Sequence, residues 1–171
     1  MDLKPYIRQI PDFPKPGVVF RDITPLLANA EAFGYAIREM ANPYIDQSVR
    51  YVAAVEARGF IFGSAIATVL KAGFIPMRKK GKLPHQTAAI TYGLEYGQDA
   101  IEVHRDAIRP GERVLLVDDV LATGGTMAAA CELIRNLGGE ICGLSFLIEL
   151  SDLGGRRKLC SYPIHRLIVY S

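Results

Sequence analysis

Short apolar runs alternate with segments of helical composition through the middle and C-terminal parts of the chain. Four of these runs predict strands, at 51–55, 72–77, 114–117 and 141–147. The segments 60–70 and 127–137 predict helices that follow two of the strands. Apolar strands joined by crossover helices are typical of a parallel sheet that helices cover on both faces. The pattern therefore predicts an α/β fold with a mostly parallel central sheet flanked by helices.

The segment 78–97 interrupts this alternation. It is polar, contains three glycines and has basic residues near its beginning. Long irregular insertions in compact domains commonly act as lids over active sites, so we expect a flexible lid here. The alternative is a surface hairpin without a catalytic part, because 88–91 could pair as a strand.

The 114–117 strand ends in two carboxylates, Asp118 and Asp119, and a turn follows shortly after them. The turn consists of Ala122, Thr123, Gly124, Gly125 and Thr126. Its glycines let the backbone approach a ligand closely, its threonines offer hydroxyl groups, and the helix that follows directs N–H groups toward an anion. Two carboxylates beside a phosphate must face another part of the ligand, such as sugar hydroxyls or a hydrated metal ion. The sequence therefore predicts a site for a phosphorylated sugar.

Composition limits the class of protein that carries this site. The chain has 171 residues, half of them apolar, which suits a single domain over 1–171. The net charge is +2 with dispersed basic residues, so nucleic-acid binding is not predicted. The sequence has neither the apolar segment of a signal peptide nor a run of the roughly 18 apolar residues that a membrane helix needs. We expect a cytoplasmic protein without a membrane partner.

A second loop, Glu56-Ala57-Arg58-Gly59-Phe60, follows the 51–55 strand and opens a helix. Ligands bind at the carboxyl ends of the strands in folds of this kind, so this loop should face the first one. The planar guanidinium of Arg58 suits a diphosphate, and Ala57 lies beside it. Arg78 and Lys82 of the lid segment are candidates to add positive charge.

The acid-pair motif resembles the phosphoribosyl-diphosphate motif of the type I phosphoribosyltransferases. Further segments resemble the adenine-using members of that family, and together these cover most of the chain. They are Phe13-Pro14-Lys15-Pro16-Gly17, Phe20-Arg21-Asp22-Ile23, the Glu56–Phe60 loop, Arg78-Lys79-Lys80-Gly81-Lys82-Leu83-Pro84 and Leu94-Glu95-Tyr96-Gly97. The resemblance implies the type I phosphoribosyltransferase fold, with a small hood over 1–30 and a flexible catalytic lid over 78–97.

The resemblance also implies an activity and roles for particular residues. The activity is the transfer of a phosphoribosyl group from phosphoribosyl diphosphate to adenine, with Mg²⁺ as cofactor and a homodimer as the assembly. The implied roles are base binding by Val19, Phe20 and Arg21; diphosphate binding by Ala57, Arg58, Arg78 and Lys82; proton transfer by Glu95; ribose binding by Asp118 and Asp119; and 5′-phosphate binding by Ala122–Thr126. Mg²⁺ would be held mainly through substrate and water, with Asp118 and Asp119 as candidate ligands.

Three alternatives stay open at this point. A related enzyme that uses xanthine or hypoxanthine would share the sugar site and differ around the base. A non-catalytic regulator could keep the sugar-phosphate motif as a sensor, although such a protein would need an added basic nucleic-acid-binding module. Phe20, which follows two valines, could be an ordinary core residue instead of a base-binding one.

Overall fold

The structure is a computed structural model that describes residues 1–93 and 98–171. Over these residues the chain forms nine strands and five α-helices. The strands are Arg8–Ile10 (β1), Phe20–Asp22 (β2), Tyr51–Val55 (β3), Gly73–Lys79 (β4), Thr87–Gly93 (β5), Gln98–His104 (β6), Arg113–Leu121 (β7), Glu140–Leu150 (β8) and Ile164–Tyr170 (β9). The helices are Thr24–Ala28 (α1), Ala30–Ala41 (α2), Arg58–Leu70 (α3), Gly125–Asn136 (α4) and Gly155–Lys158 (α5). Short 3₁₀ helices occupy Lys4–Tyr6, Asn42–Tyr44 and Ser151–Leu153.

The central sheet has the strand order β5-β6-β4-β3-β7-β8-β9. Strands β4, β3, β7, β8 and β9 are parallel, whereas β6 is antiparallel to both β4 and β5. The prediction of a mostly parallel sheet is confirmed. The predicted strands and helices are also confirmed, with ends that differ by a few residues.

The core lies on both faces of this sheet, because residues that alternate along a strand point to opposite sides. In β7, Leu115 and Val117 join a cluster with α2 and α3, whereas Leu116 joins a second cluster with α4. All three side chains are buried. The apolar run before the acid pair is therefore the double-sided core strand that its composition predicts.

The N-terminal segment forms a separate two-stranded antiparallel sheet, β1 with β2. Asp22 ends β2 and accepts hydrogen bonds from the Thr24 N–H and hydroxyl groups, both at 2.9 Å. Its carboxylate also lies 3.3 Å from Arg8. Buried Ile23 and Leu26 then attach this segment to the main core.

Residues 87–93, which we expected within an irregular lid, instead form β5 in a hairpin with β6. Ala88, Ile90 and Tyr92 alternate along β5 and pack against the second core cluster. The alternative of a strand over 88–91 is therefore confirmed. That the segment acts as a lid stays a prediction, and residues 94–97, which include Glu95, lie outside the described residues.

None of the described helices is long and apolar enough to cross a membrane.

Two helical glycines provide a matched test of how α3 packs on the sheet. A Cβ at Gly63 would lie 2.7 Å from the Ala54 Cβ of β3, whereas a Cβ at Gly34 in α2 would lie 3.4 Å from the flexible end of Arg38. We expect Gly63→Ala to lower the free energy of unfolding by about 1–3 kcal/mol through overpacking. Gly34→Ala should raise it by up to about 1 kcal/mol, because alanine favours the helix. Urea denaturation measures both, and equal midpoints would contradict close packing of α3 on β3.

Candidate active site

A cavity of about 320 Å³ lies at the carboxyl edge of the sheet. The loop after β3 and the end of β7 form one part of its wall, and β5, β6 and the last residue of β4 form another. β3 and β7 are parallel neighbours in register, with Ala54 opposite Val117, so both strands end at the same edge. The two loops that the sequence identifies therefore face each other, as predicted.

The acid pair contacts the N-terminus of α3 directly. A Cβ at Gly59 would lie only 2.9 Å from Asp118 Oδ1, so this position has room for glycine alone. Next to it, the Arg58 guanidinium forms a hydrogen-bonded ion pair with the buried Asp119 carboxylate. The Asp119 N–H group donates to Asp118 Oδ1 at 2.9 Å. Arg58 and both carboxylates are thus held in one contiguous arrangement.

The two carboxylates differ in their electrostatic surroundings. Burial raises the pKa of Asp118 well above its usual value, and the neighbouring Asp119 carboxylate raises it further. Asp119 pairs directly with the Arg58 guanidinium, and the charge of Arg58 lowers the pKa of Asp118 by less than burial and the Asp119 carboxylate raise it. The site therefore resists the presence of two negative charges, and a cationic ligand group would favour the ionised form of Asp118.

The predicted phosphate loop lies at the start of α4. Gly124 has a φ of 76°, in the left-handed region that favours glycine, and α4 begins at the next residue. The first N–H groups of a helix have no acceptor within the helix and can bind an anion. Thr123 is exposed, and the Thr126 hydroxyl lies 3.4 Å from the Tyr92 hydroxyl of β5. The structure therefore brings Ala122–Thr126 together as one loop beside the cavity.

The predicted lid cations are gathered around Glu56. The Glu56 carboxylate accepts hydrogen bonds from Arg78 Nη2 at 3.1 Å and from the Lys79 N–H at 2.8 Å. Lys82 Nζ lies 3.8 Å from the same carboxylate. Burial opposes ionisation of Glu56, but these hydrogen bonds and charges prevail and hold its pKa below the usual value. Arg78 and Lys82 are not among the residues that line the cavity, but both are held beside it by Glu56, which does line it.

Some residues of the cavity are not among those that the sequence predicts. Lys79 Nζ lies 3.1 Å from Asp99 Oδ2, and both residues line the cavity together with Tyr92. Lys79 is one of several adjacent basic residues, so the sequence alone does not single it out. It faces the cavity because it is the last residue of β4. Asp99 and Tyr92 are opposite each other in the β5–β6 pair, which the sequence predicts only as an alternative. Glu56 could have been found, because it belongs to the Glu-Ala-Arg-Gly motif.

The three hood residues lie in or beside β2, at the edge of the site. Val19 is 43% exposed, and half-buried Phe20 packs edge-to-face on Phe13 at 5.3 Å. The Arg58 guanidinium lies 5.6 Å from the Phe20 ring centre, which connects the hood to the Glu56–Phe60 loop. The alternative that Phe20 is a core residue is therefore wrong.

The Arg21 side chain stacks on Tyr170 at 4.0 Å. Its Nε and Nη1 atoms are buried and have no hydrogen-bond partner within the part of the chain that the structure describes. The flat guanidinium face thus contributes to fixing β2 against the end of β9.

Metal binding at this site would rest on few protein ligands. Within residues 1–93 and 98–171, no cluster of three or more His, Cys, Asp or Glu side chains could hold a metal ion. Asp118 and Asp119 are adjacent carboxylates, and one of them already pairs with Arg58. Such a donor set fits Mg²⁺ that is bound mostly through substrate phosphates and water, as is usual for this ion.

Comparison with known proteins gives the same picture over nearly the whole length. The family model described as "Phosphoribosyl transferase domain" matches residues 26–162. An adenine phosphoribosyltransferase of Rhizobium johnstonii is 54% identical over 172 residues, which cover 99% of this chain and 96% of that protein.

Two solved structures are also similar. The adenine phosphoribosyltransferase of Rhodothermus marinus matches with a TM-score of 0.93 and 51% identity, over 98% of this chain and 96% of that one. The enzyme of that name from Saccharomyces cerevisiae matches with a TM-score of 0.90 and 38% identity, over 95% and 94% of the two chains. The yeast crystal contains adenine together with an imino-altritol bisphosphate.

The raised pKa of Asp118 predicts that this residue destabilises the fold at neutral pH. Below the ordinary carboxyl pKa, Asp118 is protonated in the folded and the unfolded protein alike, so it does not lower the free energy of unfolding there. Above it, the unfolded chain ionises more readily, and stability falls until the folded pKa is passed. We therefore expect Asp118→Asn to raise the Tm at neutral pH and to leave it unchanged near pH 3.

Thermal denaturation in a buffer that contains a chelator measures this difference. Asp106→Asn is the matched control, because the Asp106 side chain is 72% exposed and its replacement should leave the Tm nearly unchanged. A lower Tm for Asp118→Asn at neutral pH would show that the Asp118 charge is compensated.

Proposed function

The chain belongs to the phosphoribosyl transferase family, and we infer that its reaction is the transfer of a 5-phosphoribosyl group from phosphoribosyl diphosphate to adenine. This adenine phosphoribosyltransferase activity is a pentosyl transfer that gives AMP and diphosphate and serves purine salvage. The observation that carries the conclusion is the similarity to enzymes of this activity over nearly the full length of both chains. The two facing loops supply the chemistry that such a transfer needs.

The ribose and its 5′-phosphate are proposed to bind at the end of β7. The N–H groups of Ala122–Thr126 and the threonine hydroxyls would hold the 5′-phosphate, with the N-terminus of α4 contributing positive potential. Asp118 and Asp119 would then face the ribose hydroxyls. When the diphosphate leaves before adenine attacks, positive charge develops on the ribose ring. That charge would favour the ionised form of Asp118, and the two carboxylates, already held in place, would then stabilise it.

The diphosphate is proposed to bind at the loop after β3, where Ala57 offers backbone groups and Arg58 a guanidinium. Arg78 and Lys82 approach from the other side but are paired with Glu56. A diphosphate carries more negative charge than one carboxylate, so it can replace Glu56 as the partner of these cations. The pairing with Glu56 thus keeps the cations ordered before the substrate arrives.

Adenine is proposed to bind under the hood, beside the ring of Phe20. Backbone groups of Val19 and Arg21 would read the edge of the base, since the Arg21 side chain is occupied with Tyr170. Glu95 is proposed to take up the proton as the base nitrogen becomes a nucleophile. Gly93, two residues before Glu95, has its carbonyl oxygen 3.8 Å from where a Cβ on Gly125 would lie. A residue only two positions before Glu95 in the sequence therefore lies beside the phosphate loop.

We propose Mg²⁺ as the cofactor, bound chiefly to substrate oxygens and water, with Asp118 or Asp119 as candidate protein ligands. When bound, this ion would neutralise charge on the departing diphosphate. The residues of the chain would orient the two substrates and exclude water from the anomeric carbon.

We also propose that the protein acts as a homodimer in the cytoplasm. The homodimer follows from the resemblance to the family. The location follows from the substrate, because phosphoribosyl diphosphate is highly charged and does not cross membranes unaided.

A panel of bases tests the proposed reaction. The protein is supplied with phosphoribosyl diphosphate, Mg²⁺ and either adenine, hypoxanthine, guanine or xanthine, and nucleotide formation is measured. We expect AMP from adenine and at most traces of product from the other bases. Turnover with another base would agree with the proposed sugar site but contradict the proposal that the hood selects adenine. Tight binding of the sugar substrate without turnover on any base would favour a regulator.

Replacement of Glu95 tests its role in proton transfer. We expect Glu95→Gln to lower kcat about 10²-fold or more while KM for phosphoribosyl diphosphate changes little, because the amide cannot accept the proton. Glu132→Gln is the matched control, since Glu132 is an exposed carboxylate in α4. A kcat for Glu95→Gln equal to that of the control would exclude Glu95 as the proton acceptor.

A further inference from the structure

A second turn, which lies between β8 and β9, packs against the phosphate loop. Gly155, the first residue of α5, is buried against the loop. A Cβ at Gly155 would lie 2.3 Å from the Ala122 carbonyl oxygen and 2.9 Å from the Gly124 N atom. In return, a Cβ at Gly124 would lie 2.7 Å from the Gly155 carbonyl oxygen. The two turns therefore touch backbone to backbone, with no side chain between them.

The turn that carries Gly155 is anchored by a buried carboxylate. Glu149 lies near the end of β8, opposite Leu121 of β7, and its side chain is only 7% exposed. Arg156, the neighbour of Gly155, donates two hydrogen bonds to the two Glu149 oxygens, at 2.9 and 2.8 Å. Arg166 of β9 approaches the same carboxylate at 3.1 Å. This Glu149–Arg156–Arg166 triad ties the turn to two strands of the sheet.

Glu149 is ionised in this arrangement. The hydrogen bonds from Arg156 hold the pKa of Glu149 below its usual value, and the charges of both arginines act in the same direction against the effect of burial. A bidentate pair between a guanidinium and a carboxylate fixes orientation as well as distance. The position of Arg156, and with it that of Gly155, is therefore defined relative to β8.

None of the three charged residues lines the cavity of the candidate active site. They act on that site through Gly155, whose backbone packs directly against the backbone of Ala122 and Gly124. Binding of a phosphate by backbone N–H groups depends on their alignment, and a shift of a fraction of an ångström weakens several hydrogen bonds at once.

We propose that Glu149 is a positioning residue for the 5′-phosphate loop, and that with Arg156 and Arg166 it holds Gly155 against Ala122 and Gly124 so that the loop N–H groups stay aligned. The proposal rests on the proposed function, because it takes the loop to be the binding site of the 5′-phosphate. It assigns to the triad an effect on the sugar substrate above all, because the atoms nearest to a Cβ at Gly155 belong to Ala122, Gly124 and Leu121.

The test uses Glu149→Gln, which keeps the size of the side chain and removes its charge. Both arginines are more than two-fifths exposed, so neither becomes a buried unpaired charge. Ribose 5-phosphate is the probe, because it carries the 5′-phosphate without the diphosphate or the base. We expect its Kd, measured by calorimetry, to rise about tenfold or more. KM for phosphoribosyl diphosphate should rise in parallel, while KM for adenine stays within about twofold.

Three further variants make the test specific. Gly155→Ala should weaken ribose 5-phosphate binding at least as strongly as Glu149→Gln, because its methyl group would displace the Ala122 carbonyl. Arg156→Lys should fall between the wild type and Glu149→Gln, since a lysine keeps the charge but loses the bidentate geometry. Lys158→Gln is the matched control, because it removes an exposed charge from the same turn and should leave binding unchanged.

The outcomes separate positioning from a purely structural role. If Glu149→Gln only lowers the Tm, and the folded protein binds ribose 5-phosphate as the wild type does, the proposal is overturned. An equal rise of both KM values would also overturn it. Failure of the proposed function looks different, because the wild-type protein itself would then form no AMP.

Discussion

The close approach of α3 to the end of β7 is the constraint on which the site depends. Gly59 leaves space for the Asp118 carboxylate only because it has no side chain, and the adjacent Arg58 then reaches Asp119. Both contacts require β3 and β7 to be parallel, adjacent and in register, which the pairing of Ala54 with Val117 provides. The core strands thus determine where the Glu56–Phe60 loop meets the acid pair, before any substrate is present.

Charge balance is the second organising feature of the site. Arg58 pairs with Asp119, Arg78 and Lys82 with Glu56, and Lys79 with Asp99. Free cations at such an edge would repel one another, and free carboxylates would repel a phosphate. Each pairing lowers these costs and holds long side chains near the cavity. A highly charged substrate can therefore bind by exchanging partners, which costs less than ordering flexible side chains from solution.

Much of the fold and part of the site could be predicted from local sequence. Double-sided apolar strands, segments of helical composition and the glycine-rich turn are local patterns, and for that reason the sheet and the position of Ala122–Thr126 follow from them. Asp99 could not be assigned to the cavity, because its position depends on the register of the β5–β6 hairpin. Gly155 could not be connected to the phosphate loop either, since that contact joins segments about thirty residues apart and involves no side chain of its own.

The phosphate loop is consequently held by three different kinds of contact. The hydrogen-bonded ladder of β7 and β8 leads into it, the backbone of Gly155 supports it from behind, and Tyr92 of the hairpin approaches Thr126 from the front. The first two contacts are made by backbone atoms, whereas the third joins two side-chain hydroxyl groups. The backbone contacts can move only with the strand and the turn that make them, whereas the side-chain contact can break without displacing the loop. An aligned anion site on the backbone side and an exchangeable contact on the hairpin side are what the proposed lid movement of residues 78–97 would require.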